Sequence, residues 1–165
     1  MRPKDPAPTT LIPGFLACHP PMVFNSVCPM RYLALDCGQR RTGLAVGEDE
    51  TGIVTPLHAI EASNEARVIE RVVAEVESQG AEALVVGLPL NMDGTDSPQT
   101  KRIRQLAAQL HEAIDLPVYL FDERLSSFEA DQRMSRSGLT HKQKKRRRDA
   151  LAAAAILEDF LAQRD

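Results

Sequence analysis

The spacing of short apolar runs after Met30 is the tightest constraint on this chain. Residues 32–35, 44–46 and 53–60 follow one another closely, with a basic turn, Gln39-Arg40-Arg41, held between Gly38 and Gly43. Runs this short suit strands, and the tight turn predicts a hairpin between the first two. Pro56 lies inside the third run and has no N–H to give a ladder, so that strand belongs at a sheet edge. The period then changes. Val68, Ile69, Val72, Val73 and Val76 recur as one helical face, with Ser63 or Asn64 placed to cap it and Gly80 to end it. Residues 84–86 return to a strand, Pro98 opens a second helix with Ile103, Leu106, Leu110 and Ile114 facing inward, and residues 117–121 form a fifth strand. Ser126 with Glu129, and Thr140 with Gln143, have capping-box spacing and predict two further helices. The last is apolar nearly all round from Ala150 to Leu157 and must be buried. This order predicts an α/β fold: a mixed five-stranded sheet, three antiparallel strands then two parallel, flanked by helices.

The domain is expected over residues 30–165. Residues 1–29 hold seven of the eleven prolines, show no periodicity, and read as a disordered tail. Pro13 interrupts the mildly apolar stretch there and Asp5 weakens its basic start, which does not suit a signal peptide. Translation starting at Met30 is one hypothesis for such a tail; the mass of the natively expressed protein tests it, and an intact tail refutes it. The remaining residues are numerous enough to bury a core without disulfides. With 4% aromatic residues and no Trp, that core is aliphatic. Cys18, Cys28 and Cys37 match no zinc spacing, and read as reduced thiols of a cytoplasmic protein. No apolar run of about 18 residues exists to span a membrane.

Net charge is −3, but it is unevenly spread. Eight Lys or Arg and no acid lie between Arg133 and Arg148, which leaves the rest of the chain at −11 against −3 overall. A basic segment on an acidic body is a footprint of local phosphate contact, although a solvated helix start has the same composition.

Three acids stand out by position. Asp36 closes the first apolar strand, where a buried charge is costly unless paired or bound to metal. Glu123 follows the fifth strand, and Asp149 lies between the basic run and the buried face of the last helix. Singly each has an ordinary reading: a turn bond for Asp36, a surface ion pair with Arg124 for Glu123, a helix-start acid for Asp149. Jointly, parallel strands place Asp36 and Glu123 at the carboxyl edge of the sheet, where ligands of open α/β sheets bind. Converging carboxylates repel one another unless a divalent cation lies between them, and hard oxygen ligands suit Mg²⁺ or Mn²⁺. Two such ions activate water for in-line phosphodiester displacement with no protein nucleophile.

Four segments then converge on one family. Asp36-Cys37-Gly38-Gln39-Arg40-Arg41-Thr42-Gly43, Val86-Gly87-Leu88-Pro89-Leu90-Asn91-Met92-Asp93-Gly94-Thr95, Asp122-Glu123-Arg124-Leu125-Ser126 and Asp149-Ala150-Leu151-Ala152-Ala153-Ala154 occur in this order. From Met30 to the end the chain resembles the YqgF/RuvX family, described as pre-16S rRNA nucleases or Holliday junction resolvases. The resemblance implies an RNase H-like fold, metal-dependent phosphodiester hydrolysis, and Asp36, Glu123 and Asp149 as catalytic and metal-binding residues. Cys37 and Gln39 occupy positions where the family varies, and Gly47 stands where Ser is usual. None of these removes a carboxylate, and the tail has no counterpart.

Beside that reading, Lys142, Lys144, Lys145, Arg146, Arg147 and Arg148 are expected to contact phosphates, with Arg40, Arg41 and Arg124 near the same edge. Such contacts register a nucleic acid without reading its sequence. Scarce aromatics argue against a single-strand binder and for recognition of folded RNA or branched DNA by shape. Asn91 and Asp93 position phosphate, water or their own loop. The family implies 5′-end processing of pre-16S rRNA or resolution of junction DNA, and the latter requires a homodimer with two sites. A non-catalytic ribosome-assembly or transcription factor would keep the basic run and leave the acids idle. An actin-like ATPase, suggested superficially by Asp36-Cys37-Gly38-Gln39, lacks room for a second lobe.

Overall fold

Tyr32, Leu33, Ala34 and Leu35 are all fully buried, as only a strand covered on both faces requires. They belong to β2 (Arg31–Cys37), the centre of one sheet. The computed structural model describes residues 10–11, 29–124 and 141–164. The other strands are β1 (Thr10–Leu11), β3 (Arg41–Glu48), β4 (Val54–Glu61), β5 (Ala83–Leu88) and β6 (Val118–Asp122); the helices are α1 (Glu65–Gln79), α2 (Pro98–Ile114) and α3 (His141–Ala162). The strand order is β1-β6-β5-β2-β3-β4. β2, β3 and β4 pair antiparallel, while β2, β5 and β6 pair parallel. That is the mixed sheet the sequence predicts, and Pro56 does lie in an edge strand.

One strand was not foreseen. Thr10 and Leu11, inside the stretch expected as a disordered tail, pair antiparallel with Leu120 and Tyr119. The physical reason is that β6 otherwise ends the sheet, and an edge with open N–H and C=O groups templates a further strand. The sheet therefore has six strands among the described residues.

Alternation along β2 sends its side chains into two cores. Leu33, Leu35 and Cys37 join α1 and α2 on one face; Tyr32 and Ala34 join α3 on the other. Asn64 rather than Ser63 caps α1, its Oδ1 accepting from Arg67 N at 2.9 Å, and Gly80 ends the helix with φ +63°. α2 begins with Pro98 behind a capping box of Ser97 and Thr100. α3 lies across β2, β3 and β4. Its buried residues include Ala150, Ala153, Ala154 and Ala155, whose small side chains let the helix settle close to the strands. Phe160 closes the far end, packing its ring against Tyr32, Tyr119 and Phe121. The helix expected from Ser126 and Glu129, and the Thr140 cap, lie outside the described residues.

Candidate active site

Parallel registry brings the first two acids together. Leu35 pairs with Val86 and Leu88 pairs with Asp122, so Asp36 and Glu123 both lie at the carboxyl ends of the two parallel strands that flank β5. Glu123 N donates to Leu88 O at 3.3 Å, which carries the β5–β6 ladder one residue beyond Asp122. Its carboxylate lies above Gly87: a Cβ there would be 2.1 Å from Glu123 Oε1. The third acid arrives from the helix. Asp36 opposes Gly43 in β3. At Gly43 the backbone of α3 touches the sheet, and a Cβ would be 1.9 Å from the carbonyl oxygen of Asp149. Two glycines thus make the space in which Glu123 and Asp149 approach Asp36. Sequence reasoning missed them; a glycine inside an apolar strand was the available signal.

The electrostatics record this convergence. Burial, and then the charge of Asp149, push the Asp36 carboxyl up to about 6. Burial, then Asp36 and Asp122, push Glu123 up to about 8. Burial also raises Asp149, against the pull of Arg41, Arg148 and Lys145. Acids so placed hold protons near neutrality unless a cation neutralises them. As arranged they do not form a closed coordination set, and among the described residues no group of His, Cys, Asp or Glu does. Arg41 Nε stands 2.8 Å from Asp149 Oδ2 and pairs with it. The donor set nonetheless fits a hard divalent ion, being three carboxylates made costly by burial and by each other.

The expected basic rim is reorganised by local acids. Arg41 turns to Asp149, Arg124 Nε donates to Asp122 Oδ2 at 2.7 Å, and Arg146 Nε donates to Glu61 Oε1 at 3.1 Å. The side chains of Lys145, Arg146, Arg147 and Arg148 are exposed on α3, whose backbone also carries Lys142 and Lys144. Asn91 and Asp93 serve their own loop. Asn91 Nδ2 donates to Thr95 Oγ1 at 2.9 Å, and Asp93 Oδ1 accepts from Thr95 N at 2.9 Å and Thr95 Oγ1 at 2.6 Å. Those bonds hold the Asp93 carboxyl below its ordinary range. Cys37 is a buried free thiol, pushed up to about 12 mainly by burial. Among the described residues no helix is long and apolar enough to cross a membrane.

A family profile described as "RuvX: Holliday junction resolvase" matches residues 30–163. The chain belongs to the RuvX family. A RuvX relative from Maridesulfovibrio salexigens is 35% identical over 133 residues, 81% of this chain and 98% of its own. Another, from Azotobacter vinelandii, is 42% identical over 136 residues, 82% of this chain and 96% of its own. Both carry the name "Putative pre-16S rRNA nuclease". Among solved structures, Thermus thermophilus RuvC in complex with a Holliday junction substrate superposes with TM-score 0.52 at 17% identity, covering 82% of this chain and 95% of that one. At that identity the likeness is one of fold, and it gives this RuvX chain the RNase H-like architecture that its motifs imply.

Proposed function

We propose that this protein is a Mg²⁺- or Mn²⁺-dependent endonuclease that hydrolyses phosphodiester bonds of structured nucleic acid, acting in the cytoplasm on the 5′ end of pre-16S rRNA. The observation that carries the reading is the gathering of Asp36, Glu123 and Asp149, from β2, the end of β6 and α3, at one sheet edge. The names borne by its RuvX relatives supply the substrate.

Asp36, Glu123 and Asp149 would hold the metal, which when bound neutralises their charge and that of the reacting phosphodiester. The chain's own groups do the rest. The exposed Lys145, Arg147 and Arg148 flank Asp149 on the first turns of α3 and draw the polyanion to the acids. Arg41 lends its charge to Asp149, a carboxylate that would pass to the divalent ion were one bound. Water attacks phosphorus, the bond to the leaving ribose oxygen breaks, and that oxygen takes a proton. The attacking water gives up a proton as the leaving oxygen takes one, while Glu123, raised to about 8 by burial and its acidic neighbours, would have to lose its own proton to hold the metal.

Branched DNA is the second reading, favoured by the family's description as a Holliday junction resolvase. It needs paired sites in a homodimer. A cleavage panel of precursor 16S rRNA, duplex RNA and four-way junction DNA, with Mn²⁺ and with chelator, separates these. Site-specific product from the precursor, lost in Asp36→Asn, supports the proposal. Cleavage of the junction alone, by a dimer, supports the second reading. Binding that survives Asp36→Asn with no product from any substrate makes the protein a non-catalytic factor.

A further inference from the structure

The turn joining β2 to β3 has chemistry on both sides of the sheet. Asp36 shares the α3 face with Ala34, whereas a cleft of about 190 Å³ opens on the opposite face, between the turn, the start of α1 and the side of α2. Arg40, Arg41 and Arg102 line it, Arg41 with its guanidinium turned away to Asp149, against one carboxylate, Glu65. Arg102 is fixed in place: its Nε donates to Glu65 Oε1 at 2.9 Å and its Nη2 to Gly38 O at 3.4 Å. Arg41 spends its charge on Asp149. Arg40 is exposed and makes no ion pair among the described residues. The cleft therefore holds one unmatched positive charge beside a paired guanidinium.

Its floor adds neutral donors. Ser63, which carries a hydroxyl, lines the cleft, and α1 begins beside it. The Asn64 side chain accepts from Arg67 N, and the start of a helix has further amides to offer an outside acceptor. One unmatched guanidinium, a second held flat by Gly38 and Glu65, a hydroxyl and open amides together suit a single tetrahedral monoanion.

We infer that this cleft is a second phosphate subsite, which takes a backbone phosphodiester of the nucleic acid at a position displaced from the scissile bond across the β2–β3 turn. The inference rests on the nuclease reading for its substrate, but not for its test. Arg40 and Arg102 are positioning residues here. They fix the register of the strand on the enzyme, and Arg102 does so through a scaffold that ties α1, α2 and the turn together. The basic turn, which in sequence looked like one patch at the acid edge, is divided: Arg41 faces the acids and Arg40 faces the cleft.

The test is equilibrium binding of a fluorescent RNA hairpin to the full chain in chelator, where cleavage cannot occur. Arg40→Glu and Ser63→Glu are the variants; both residues are exposed, so neither change should disturb the core. Arg71→Glu, two turns along α1 and exposed, is the control. Arg40→Glu and Ser63→Glu should each weaken binding about tenfold, and Arg40→Ala should lower the slope of log K against log salt by about 1. Arg71→Glu should leave both unchanged. Single neutral methylphosphonate linkages then locate the contact. One linkage should weaken wild-type binding and leave Arg40→Glu unaffected. The inference is overturned if the Glu variants bind as wild type, or if every linkage costs Arg40→Glu as much as wild type. Absence of cleavage with Mn²⁺ would sink the nuclease reading and leave this binding result standing. Where cleavage occurs, Arg40→Glu should raise KM and preserve kcat.

Discussion

Replacing Gly43 by alanine asks whether direct contact between helix and sheet sets the place of Asp149. A Cβ at residue 43 would lie 1.9 Å from the Asp149 carbonyl oxygen, 2.2 Å from its carbonyl carbon and 3.0 Å from Ala150 N. All three atoms are backbone, so no side-chain rotation relieves the clash. Ordinary contact begins near 3.4 Å, so this turn of α3 must retreat by about 1.5 Å. Overpacking of this kind costs up to about 3 kcal/mol, which in a domain of this size lowers Tm by about 10 °C. The same movement draws Asp149 away from Asp36. A misplacement of about 1 Å at a reacting centre costs on the order of 100-fold in rate, so the cleavage rate should fall at least that far. Gly52→Ala is the control: with φ +63° and nothing within 4 Å of a new Cβ, it carries only the left-handed backbone penalty of about 1–2 kcal/mol. Calorimetry and initial cleavage rates in Mn²⁺ measure both variants. If Gly43→Ala matches Gly52→Ala in Tm and in rate, α3 does not rest on β3 at this point and the account of the site is wrong.

Other outcomes follow from the same geometry. Asp36 and Glu123 are raised to about 6 and about 8, above the unfolded carboxylate range. Raised acids give stability that is complete below about pH 4 and lost as pH climbs through 6 and then 8. In chelator, Tm should therefore fall between about pH 5 and 8.5, with Mn²⁺ restoring more of it at the higher pH; a Tm flat or rising across that window refutes the burial argument. Asp36→Asn should abolish cleavage yet raise Tm in chelator at pH 8, because a neutral amide replaces a buried charge; a lowered Tm contradicts this. Arg41→Gln frees Asp149 from its 2.8 Å partner and should tighten Mn²⁺ binding several-fold while weakening RNA binding, read by Mn²⁺ resonance titration and anisotropy. Phe160→Ala removes the ring shared by Tyr32, Tyr119 and Phe121 and should cost about 3–5 kcal/mol by denaturant unfolding.

Local signals in the sequence translated well into local structure. Pro56 marked an edge strand because a missing N–H has one meaning wherever it falls. Gly80 and Pro98 marked helix ends for equally local reasons. The acids were legible because a charge closing an apolar run is costly without a partner, and parallel pairing of β2 and β6 with β5 set two of them at the same end of the sheet. Partners across space were not legible. A run of arginines shows its sign but not that Arg146 will reach Glu61 or that Arg41 will reach Asp149. The pairing of Thr10 and Leu11 with β6 was hidden for a related reason: two residues carry no periodicity, and what selects them is an open strand elsewhere. Arg102 passed unnoticed on a mixed helix face, since its meaning comes from Gly38 and Glu65, both distant in sequence.

The two borders of the sheet are defended unequally. Along β4, Pro56 withholds a donor from any neighbour that tries to lie alongside. Along β6 the only cover among the described residues is a pair of amino acids, Thr10 and Leu11. Shelf life at high concentration should hang on that small cover: a version of the protein trimmed to begin at Met30 would fold the same core yet turn cloudy sooner, as exposed strands from different molecules zip together.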